Sequence, residues 1–226
     1  DAGLKYAETV RDALHRLGAD HRPGSFAEYG RLRVSVPDWF ARYVMLPELA
    51  RFRSHVPHLD LEISTGMGLA DLEAGDADVA LRLGMGKWGN LRSYRLAQFT
   101  ASVVAAPSLV AVARELSGKG ELPMVCLDKL ERHTRATIAS VGLTARAERA
   151  LRLDNYLDVV QAAEEGLGVT VTFTTPQASG ASNDRLVTLS SRPLPVPFAM
   201  YFVCRELEAD RPDIAALRKL CVNRFL

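Results

Sequence analysis

Two hydrophobic periods alternate along the chain from Gly30 onward. Short runs of continuous or alternating apolar residues, such as RLRVSV (31–36) and ADVALRL (77–83), are typical of buried strands. Longer runs with apolar residues at helical spacing, such as DWFARYVMLPELARFRSH (38–55), predict amphipathic helices. The order strand, helix, strand predicts a parallel α/β unit.

The predicted elements fall into two sets. The first set also contains the strand LDLEIST (59–65) and the helix GLADLEAG (68–75). The chain finally returns through the strand PFAMYFVCRE (197–206) to a helix over 212–226. The second set alternates helices and strands: SLVAVARELS (108–117), PMVCL (123–127), ERHTRATIASVGL (131–143), RALRL (149–153), NYLDVVQAAEEGLG (155–168) and VTVTF (169–173).

Two α/β halves joined by two crossing strands predict two Rossmann-like lobes with a hinge between them. Such a fold places its ligand cleft at the carboxyl ends of the strands. Asp38 stands where a helix N-cap is expected, and Pro47 predicts a kink or break in the helix that follows.

The first segment of the chain has apolar residues at alternating steps of three and four, from Leu4 to Leu17. This pattern fits either a helix packed on its own domain or the end of a longer dimerisation helix. The sequence GADHRPGS (18–25) then predicts a linker, so we assign residues 1–29 to a helix end and linker.

Gly84, Gly86 and Gly89 have the spacing G-x-G-x-x-G after a predicted strand, which raises the possibility of a dinucleotide site. In a dinucleotide-binding unit the glycines open a helix, and a carboxylate follows roughly 20 residues later. Here a long apolar strand follows instead, and Ser108 and Leu109 occupy the later position. The motif therefore predicts a glycine-rich turn between two strands and no nucleotide cofactor.

Composition narrows the possible functions. The 226 residues include 28 Lys and Arg against 27 Asp and Glu, so the net charge of +1 gives no field that would hold a polyanion. Three cysteines, Cys126, Cys204 and Cys221, form no C-x-x-C pair and fit buried thiols in the cytoplasm. The sequence shows no signal-peptide pattern and no apolar run of membrane length.

No catalytic constellation is evident. The sequence lacks G-x-S-x-G, and Pro57 between His55 and His58 removes the helical face that a metal-binding pair would need. His133 could reach a cleft, but it has no evident partner. A cleft without nucleophile, metal ligands or phosphate loop favours a sensor over an enzyme, with no metal and no cofactor.

Several segments resemble a known family. The segments GRLRVSVPDWFARYVMLPELARFRSHVPHLDLEIS, DLEAGDADVALRLGMGKWGNL, VVAAPSL, DNYLDVVQAAEEGLGVTV and YFVCRE occur in this order before a C-terminal helix. Together they resemble the effector-binding domain of LysR-type transcriptional regulators, from about Gly30 to Leu226. The arginine and glycines of RLGMGKWGNL are most similar to the branch with the glycine-cleavage activator and the regulators of chromosomal β-lactamase.

The resemblance implies a periplasmic-binding-protein type II fold. Regulatory lobe I would contain residues 30–104 and 203–226, and regulatory lobe II residues 105–202. A small-molecule effector would bind between the lobes of a homodimer or homotetramer and re-space DNA-binding domains. The winged helix-turn-helix that contacts DNA would lie outside this chain, and no membrane would be involved.

The resemblance also implies where the effector binds. Asp38 and Trp39 stand where relatives have a small Ser or Thr, and Thr134 stands where close relatives often have Trp, so the effector should differ from theirs. Trp39 could equally be a core residue. Carried over position by position, the expected ligand contacts are Pro37, Asp38, Trp39, Thr65, Gly66, Asn155, Tyr156 and Tyr201.

Three further expectations follow. An N-capping Asp38 would present negative charge to the ligand, so we expect an effector with donor groups, contacted by Asn155 and Tyr201. Self-association is expected through the helix at 41–52, with Tyr43, Val44 and Leu49, and the strand at 59–64. The alternative function is a periplasmic-type solute-binding protein, which the missing signal peptide and odd cysteine count disfavour.

Overall fold

The computed structural model describes residues 30–66, 68, 70–115, 120–146, 148–174 and 185–225. The strands of this part of the chain are β1 (Arg31–Val36), β2 (Asp60–Thr65), β3 (Val79–Gly84), β4 (Leu91–Ala105), β5 (Glu121–Leu122), β6 (Val125–Leu127), β7 (Thr144–Ala145), β8 (Leu151–Leu153), β9 (Thr170–Thr174), β10 (Val187–Thr188) and β11 (Leu194–Arg205). Its α-helices are α1 (Asp38–Phe40), α2 (Leu46–His55), α3 (Pro107–Glu115), α4 (Glu131–Ser140), α5 (Tyr156–Glu164) and α6 (Pro212–Phe225). Shorter helical segments are a π-helix at Ala41–Met45 and 3₁₀-helices at Asp128–Leu130 and Glu206–Glu208.

The large sheet has the strand order β10-β4-β11-β3-β1-β2, and β9 also pairs with β4. β1 runs parallel to β2 and to β3, with Val34 opposite both Ile63 and Val79. β11 is antiparallel to β3 and to β4. The parallel α/β unit predicted from the hydrophobic periods is therefore confirmed.

The two long strands β4 and β11 cross between the lobes. The first part of β4 pairs with β11, from Leu91 opposite Arg205 to Gln98 opposite Ala199. The next part pairs with β9, beginning with Thr100 opposite Thr174. We call the half of the sheet around β1–β3, with α1, α2 and α6, lobe I, and the half with α3–α5 and β5–β10 lobe II. The predicted pair of lobes joined by crossing strands is confirmed.

Each lobe has its own apolar core. In lobe I, helices α2 and α6 cover one face of the sheet and bury residues such as Phe52, Phe202 and Leu217. In lobe II, Met124, Ile138 and other apolar side chains are buried between α4 and the strands. Burial of these side chains at about 1.5–3 kcal/mol each is the main term that stabilises the lobes.

Lobe II is built from short parallel pairs, β5 with β7 and β6 with β8. A bridge between Met124 and Val169 joins them to β9. The turn before β9 passes close to the backbone segment between β5 and β6. A Cβ at Gly168 would lie 2.8 Å from the carbonyl oxygen of Pro123 in that segment. Glycine at this position is therefore required by the approach of two backbones.

The helical stretch after β1 is irregular. It begins as α1, continues as the π-helical segment Ala41–Met45 and becomes regular again at α2, where Pro47 lies in the first turn. Proline has no N–H and its ring clashes with the carbonyl four residues before it, so the ordinary hydrogen-bond ladder cannot pass through Pro47. The interruption predicted at Pro47 is confirmed in this form.

The helix predicted at 68–75 is wrong. In the described part of this stretch the backbone forms a turn over Leu72–Gly75. The Asp71 carboxylate accepts the Ala74 N–H at 2.9 Å, and the Asp71 carbonyl accepts the Asp76 N–H at 2.9 Å. Gly75 has a φ of +82°, which favours glycine. Local aspartate hydrogen bonds thus outcompete the helical ladder here.

The glycine-rich segment connects β3 to β4, and β11 lies between these two strands in the sheet. Gly86 has a φ of +85°, and a Cβ there would lie 2.8 Å from the Tyr201 hydroxyl oxygen. The turn prediction is confirmed.

The helix and linker predicted for 1–29 lie outside the described residues. Within the described ranges, no helix combines the length and apolarity needed to cross a membrane.

Candidate functional site

A cavity of about 530 Å³ lies at the carboxyl ends of β1 and β3, between the lobes. Its volume lies within the range of roughly 300–1,000 Å³ typical of small-molecule sites. Side chains of lobe I, of the crossing strands and of lobe II all contribute to its wall. The lining residues are Trp39, Gly68, Leu83, Phe99, Leu127, Asp128, Lys129, Leu130, Leu153, Asp154, Tyr156, Phe173 and Phe198.

Five aromatic rings form a continuous arc around this cavity. Phe99 and Trp39 meet edge to face with centroids 5.6 Å apart, and Trp39 meets Tyr156 at 6.5 Å. Tyr156 then contacts Phe173 at 6.1 Å, and Phe173 contacts Phe198 at 5.3 Å. Such pairs add about 0.5–1.5 kcal/mol each beyond the area that they bury. The arc connects lobe I to lobe II through rings alone.

The Tyr156 hydroxyl is fixed within this arc. Its oxygen accepts the Phe173 N–H at 3.2 Å, which joins the start of α5 to β9. Burial raises the pKa of Tyr156 to about 12, and the negative charge of Asp38 contributes to the rise. The hydroxyl therefore stays protonated at neutral pH and has its proton available for a ligand acceptor.

The polar groups on the wall are few and mostly acidic. Asp128 and Lys129 belong to the 3₁₀ turn after β6, and Asp154 follows β8 directly. All three side chains are exposed, and none forms an ion pair with another described residue. The rim on the lobe II side thus carries two carboxylates against one ammonium group.

Helix α5 begins at the cavity with a capped first turn. Asn155 is extended (φ −114°, ψ 132°), and its side-chain oxygen accepts the N–H groups of Leu157 at 2.7 Å and Asp158 at 3.4 Å. This is the usual N-cap arrangement. The Asn155 oxygen is therefore used by the helix, and its NH₂ group is the part of the side chain left to donate to a ligand.

Helix α1 begins differently, and the N-cap expected at Asp38 is wrong. The buried Pro37 is extended (φ −62°, ψ 144°) and occupies the cap position, so that Asp38 is the first residue of the helix. Both carboxylate oxygens of Asp38 are buried and accept no hydrogen bond from any residue that the structure describes.

Of the eight expected contacts, Trp39 and Tyr156 line the cavity. Pro37, Asp38 and Asn155 directly precede these two residues in the chain. Thr65, at the exposed end of β2, and Gly66, whose N–H donates to the Val36 carbonyl at 3.0 Å, lead into the turn that contains the lining residue Gly68.

Tyr201 lies apart from this group. On β11, Met200 and Phe202 face the core under α2 and α6, whereas Tyr201 packs on the other face of the sheet. Its ring lies 5.9 Å from that of Trp88, and it is not part of the cavity wall.

Sequence reasoning missed most of the wall. Asp128 and Asp154 follow predicted strands directly, so the rule that ligands bind at the carboxyl ends of strands could have found them. Phe99, Phe173 and Phe198 carry no such signal, because they lie within strands and only the crossing of β4, β9 and β11 brings them together.

A buried arginine holds one residue of the cavity wall by a hydrogen bond. Arg82 is 5% exposed, and its Nη2 donates to Ser35 Oγ and to the Gly68 carbonyl, both at 2.6 Å. Burial lowers the pKa of this guanidinium. Arg82 thus ties the turn after β2 to the sheet at the point where Gly68 lines the cavity.

The histidines considered above lie away from this wall. His55 Nδ1 lies 2.7 Å from the Arg51 carbonyl oxygen at the end of α2. His133 is exposed on α4 and does not line the cavity. Among the residues that the structure describes, no three His, Cys, Asp or Glu side chains are arranged to hold a metal ion.

Comparison with known proteins gives the family. The LysR substrate binding domain model matches residues 27–226. The chain belongs to the LysR substrate-binding domain family. The glycine cleavage system transcriptional activator of Escherichia coli (strain K12) is 30% identical over 232 residues, which cover 97% of this chain and 73% of the relative. AmpR of Pseudomonas aeruginosa, a transcriptional activator, is 30% identical over 129 residues, which cover 55% of this chain and 43% of AmpR.

Solved structures of LysR-family proteins share the fold. The AmpR effector binding domain from Citrobacter freundii superposes with a TM-score of 0.66 at 20% identity, covering 85% of this chain and 96% of that domain. CrgA from Neisseria meningitidis superposes with a TM-score of 0.71 at 17% identity, covering 100% of this chain and 79% of CrgA. The resemblance to the LysR family and to its type II periplasmic-binding-like fold is confirmed, and the solute-binding alternative is not favoured.

Proposed function

We propose that this LysR-family chain senses a small-molecule effector in the cavity between its lobes and transmits binding as a change in lobe packing that controls transcription. The observation that carries the proposal is the aromatic arc, in which Trp39 of lobe I contacts Tyr156 of lobe II at the cavity. A ligand that alters this contact changes the relative stability of open and closed lobes, which is the requirement for a population shift.

The proposed effector site consists of the residues expected from the resemblance together with the wall of the cavity. Trp39 and Tyr156 would contact the ligand through their rings, and Pro37, Asp38, Thr65, Gly66 and Asn155 would flank it. Tyr201 remains a prediction, which a Tyr201→Phe variant tests separately. The proposed division places residues 30–104 and 203–226 in lobe I and residues 105–202 in lobe II.

A thermal-shift screen of metabolites and peptidoglycan fragments, followed by calorimetry, tests the site. We expect hits to raise the melting temperature, and we expect Trp39→Leu to weaken each hit because it removes one ring of the arc. Trp88→Phe is the matched control, since Trp88 lies on the other face of the sheet. Hits that bind equally well to Trp39→Leu would place the site elsewhere.

DNA is proposed to be contacted by a separate N-terminal domain of the full regulator, acting in the cytoplasm. The net charge of +1 supports this division of roles, because sequence-independent DNA affinity requires many cationic contacts. A gel shift with residues 1–226 should therefore show only weak, non-specific binding. Sub-micromolar, sequence-specific binding by this chain would contradict the division.

We infer that the chain assembles as a homodimer or homotetramer. β2 is the edge strand of lobe I, and on the helical stretch after β1 Tyr43 is 56% exposed and Leu46 is 53% exposed. Leu49 is half-buried, whereas Val44 is buried in the lobe I core and is not available to a partner. Sedimentation should show self-association that weakens in Tyr43→Glu, and a monomer at high concentration would contradict the inference.

A further inference from the structure

The crossing strands β4 and β11 pair irregularly where they pass the cavity. Three residues of β11, 196–198, stand where β4 has only Phe99, because the register shifts between Pro195 and Ala199. A second shift of register follows after only two paired residues of β11. Such bulges disrupt the ladder of hydrogen bonds and bend the strand. The ladder that joins the lobes is therefore interrupted twice close to the cavity.

A side chain of β4 holds the first of these bulges. Pro195 and Pro197 have no N–H group, so they cannot donate to a neighbouring strand. Instead the Nε2 of Gln98 donates to the carbonyl oxygens of Val196 and Phe198, both at 2.9 Å. These two bonds use both hydrogens of the amide. The Gln98 side chain thus fixes a stretch of backbone that the regular ladder does not hold.

The residues held in this way belong to the cavity wall and to the contact between the lobes. Phe198 lines the cavity, as does Phe99, which follows Gln98 directly. The Phe198 ring contacts Phe173 with centroids 5.3 Å apart. Val196 packs against the apolar cores of both lobes. A displacement of this stretch of β11 would therefore change the cavity wall and the contact between the lobes together.

We propose that Gln98 is a positioning residue of the effector site, whose amide keeps Phe198 on the cavity wall and thereby couples the shape of the cavity to the angle between the lobes. Gln98 is not part of the wall, so it acts through Phe198. The inference rests on the proposed function for its meaning in sensing. An effector that displaces Phe198 would break the two amide hydrogen bonds and let the lobes turn about the bulge.

Two substitutions of similar length separate donation from other roles of Gln98. Gln98→Glu has no hydrogen to donate at neutral pH, although it can still accept from Arg95, which donates to the Gln98 Oε1 in the parent. Gln98→Lys supplies donors again through its ammonium group. Gln98 is exposed, so we expect both variants to fold. Gln161→Glu is the matched control, because it makes the same exchange at an exposed position of α5.

The fluorescence of Trp39 measures the packing of the wall. In a Trp88→Phe background it is the single tryptophan of the chain, and its ring meets that of Phe99 with centroids 5.6 Å apart. We expect Gln98→Glu to raise the acrylamide quenching constant at least about twofold, and Gln98→Lys and Gln161→Glu to leave it nearly unchanged. A change in stability alone would not alter quenching of the folded protein far below its melting temperature.

Spin labels measure the angle between the lobes. Lys219→Cys on α6 and Ala136→Cys on α4 place one exposed label on each lobe, and the native cysteines are buried. Excess unlabelled chain removes distances between different molecules. We expect double electron–electron resonance to give one distance peak in the parent, a shifted or broadened peak in Gln98→Glu, and the parent peak in Gln98→Lys and Gln161→Glu.

Each outcome decides the inference. Parent-like quenching and distances in Gln98→Glu would overturn it, and so would equal changes in Gln98→Glu and Gln98→Lys, because donation would then not be the cause. A change in quenching without a change in distance would overturn the coupling. Neither measurement uses an effector. If Gln98→Glu behaves as expected but Trp39→Leu weakens no hit of the screen, only the proposed effector site fails.

Discussion

Each end of the lobe I sheet has an aspartate with a buried carboxylate, and only one of the two carboxylates is hydrogen-bonded and ion-paired by described residues. At the amino end of β3, Asp78 is 3% exposed and accepts the Arg33 N–H at 2.8 Å and the Arg205 guanidinium at 3.0 Å. Arg211 lies 4.0 Å away and is itself paired with Asp213. At the carboxyl end of β1, the Asp38 carboxylate has no partner among the described residues.

The difference separates stability from function within one sheet. A buried charge that is fully paired fixes the elements around it, and Asp78 ties β1, β3 and β11 to the start of α6. A buried charge without a partner costs stability, and such local violations are expected at functional or strained sites. The cavity lies at the end with the unpartnered carboxylate, as expected for the carboxyl ends of parallel strands.

Removal of the paired carboxylate should have the largest effect. Asp78→Ala leaves Arg33 and Arg205 without their buried acceptor, and we expect a loss of about 3–5 kcal/mol in the free energy of unfolding. Urea denaturation measures it, and the exposed Asp60→Ala serves as control. A loss below about 1 kcal/mol would show that Asp78 does not hold this end of the sheet together.

Removal of the Asn155 N-cap of α5 should reduce the free energy of unfolding by a smaller but measurable amount. Asn155→Ala removes the acceptor for the N–H groups of Leu157 and Asp158, and we expect a loss of about 1 kcal/mol. Asn155→Gly should cost only a few tenths of a kcal/mol, because glycine is tolerated at N-caps. Thermal unfolding compares the parent, Asn155→Ala and Asn155→Gly. Equal melting temperatures would mean that the Asn155 side chain does not stabilise the first turn of α5.

Acid should reduce the stability that the Asp78 ion pairs contribute at the amino end of β3, and it should do so in a defined pH range. Burial alone would raise the pKa of Asp78, but the hydrogen bonds from Arg33 and the charges of Arg211 and Arg33 hold it below the ordinary 3.8. A lowered folded-state pKa means that the contribution is present above pH 3.8 and is lost as the pH falls through the folded value. Stability measured from pH 6 to pH 2 should therefore fall more steeply in the parent than in Asp78→Asn, and parallel curves would contradict this.

Neutralisation of the unpartnered carboxylate should have the smallest effect on stability. Asp38→Asn loses some attraction to the helix N-terminus and also removes the cost of burying a charge. We expect the free energy of unfolding to stay within about 0.5 kcal/mol of the parent. A loss as large as that of Asp78→Ala, measured in the same urea experiment, would show that Asp38 has a structural partner and would remove the contrast.

Much of the fold could be predicted from hydrophobic periods. The strands β1 to β4, the helix interruption at Pro47 and the turn at Gly84–Gly89 all depend on local patterns that the structure confirms. The helix expected at 68–75 was wrong because the hydrogen bonds of Asp71, which are also local, favour a turn. The N-cap expected at Asp38 was wrong because the backbone of Pro37 already supplies the extended cap residue.

The site was less predictable than the fold. The family resemblance placed Trp39 and Tyr156 at the cleft, and in the structure each lies at the start of a helix that follows a strand. The remaining rings of the arc come from β4, β9 and β11, and sequence patterns do not specify how strands from two lobes cross. Tyr201 stays a prediction, and the alternation of side chains along β11 places it beside Trp88 on the other face of the sheet.

The sequence by itself determined the order of elements, the parallel unit and the family resemblance, because periodicity, turn residues and motifs act over short distances along the chain. Only the tertiary structure decided which aspartate is paired. Asp38 follows one apolar strand and Asp78 precedes another, and neither position shows in the sequence which aspartate will meet a cation. Asp78 is paired because Arg205 and Arg211, 127 and about 133 residues away in sequence, fold back onto the amino end of β3, whereas no described cation reaches Asp38 at the carboxyl end of β1.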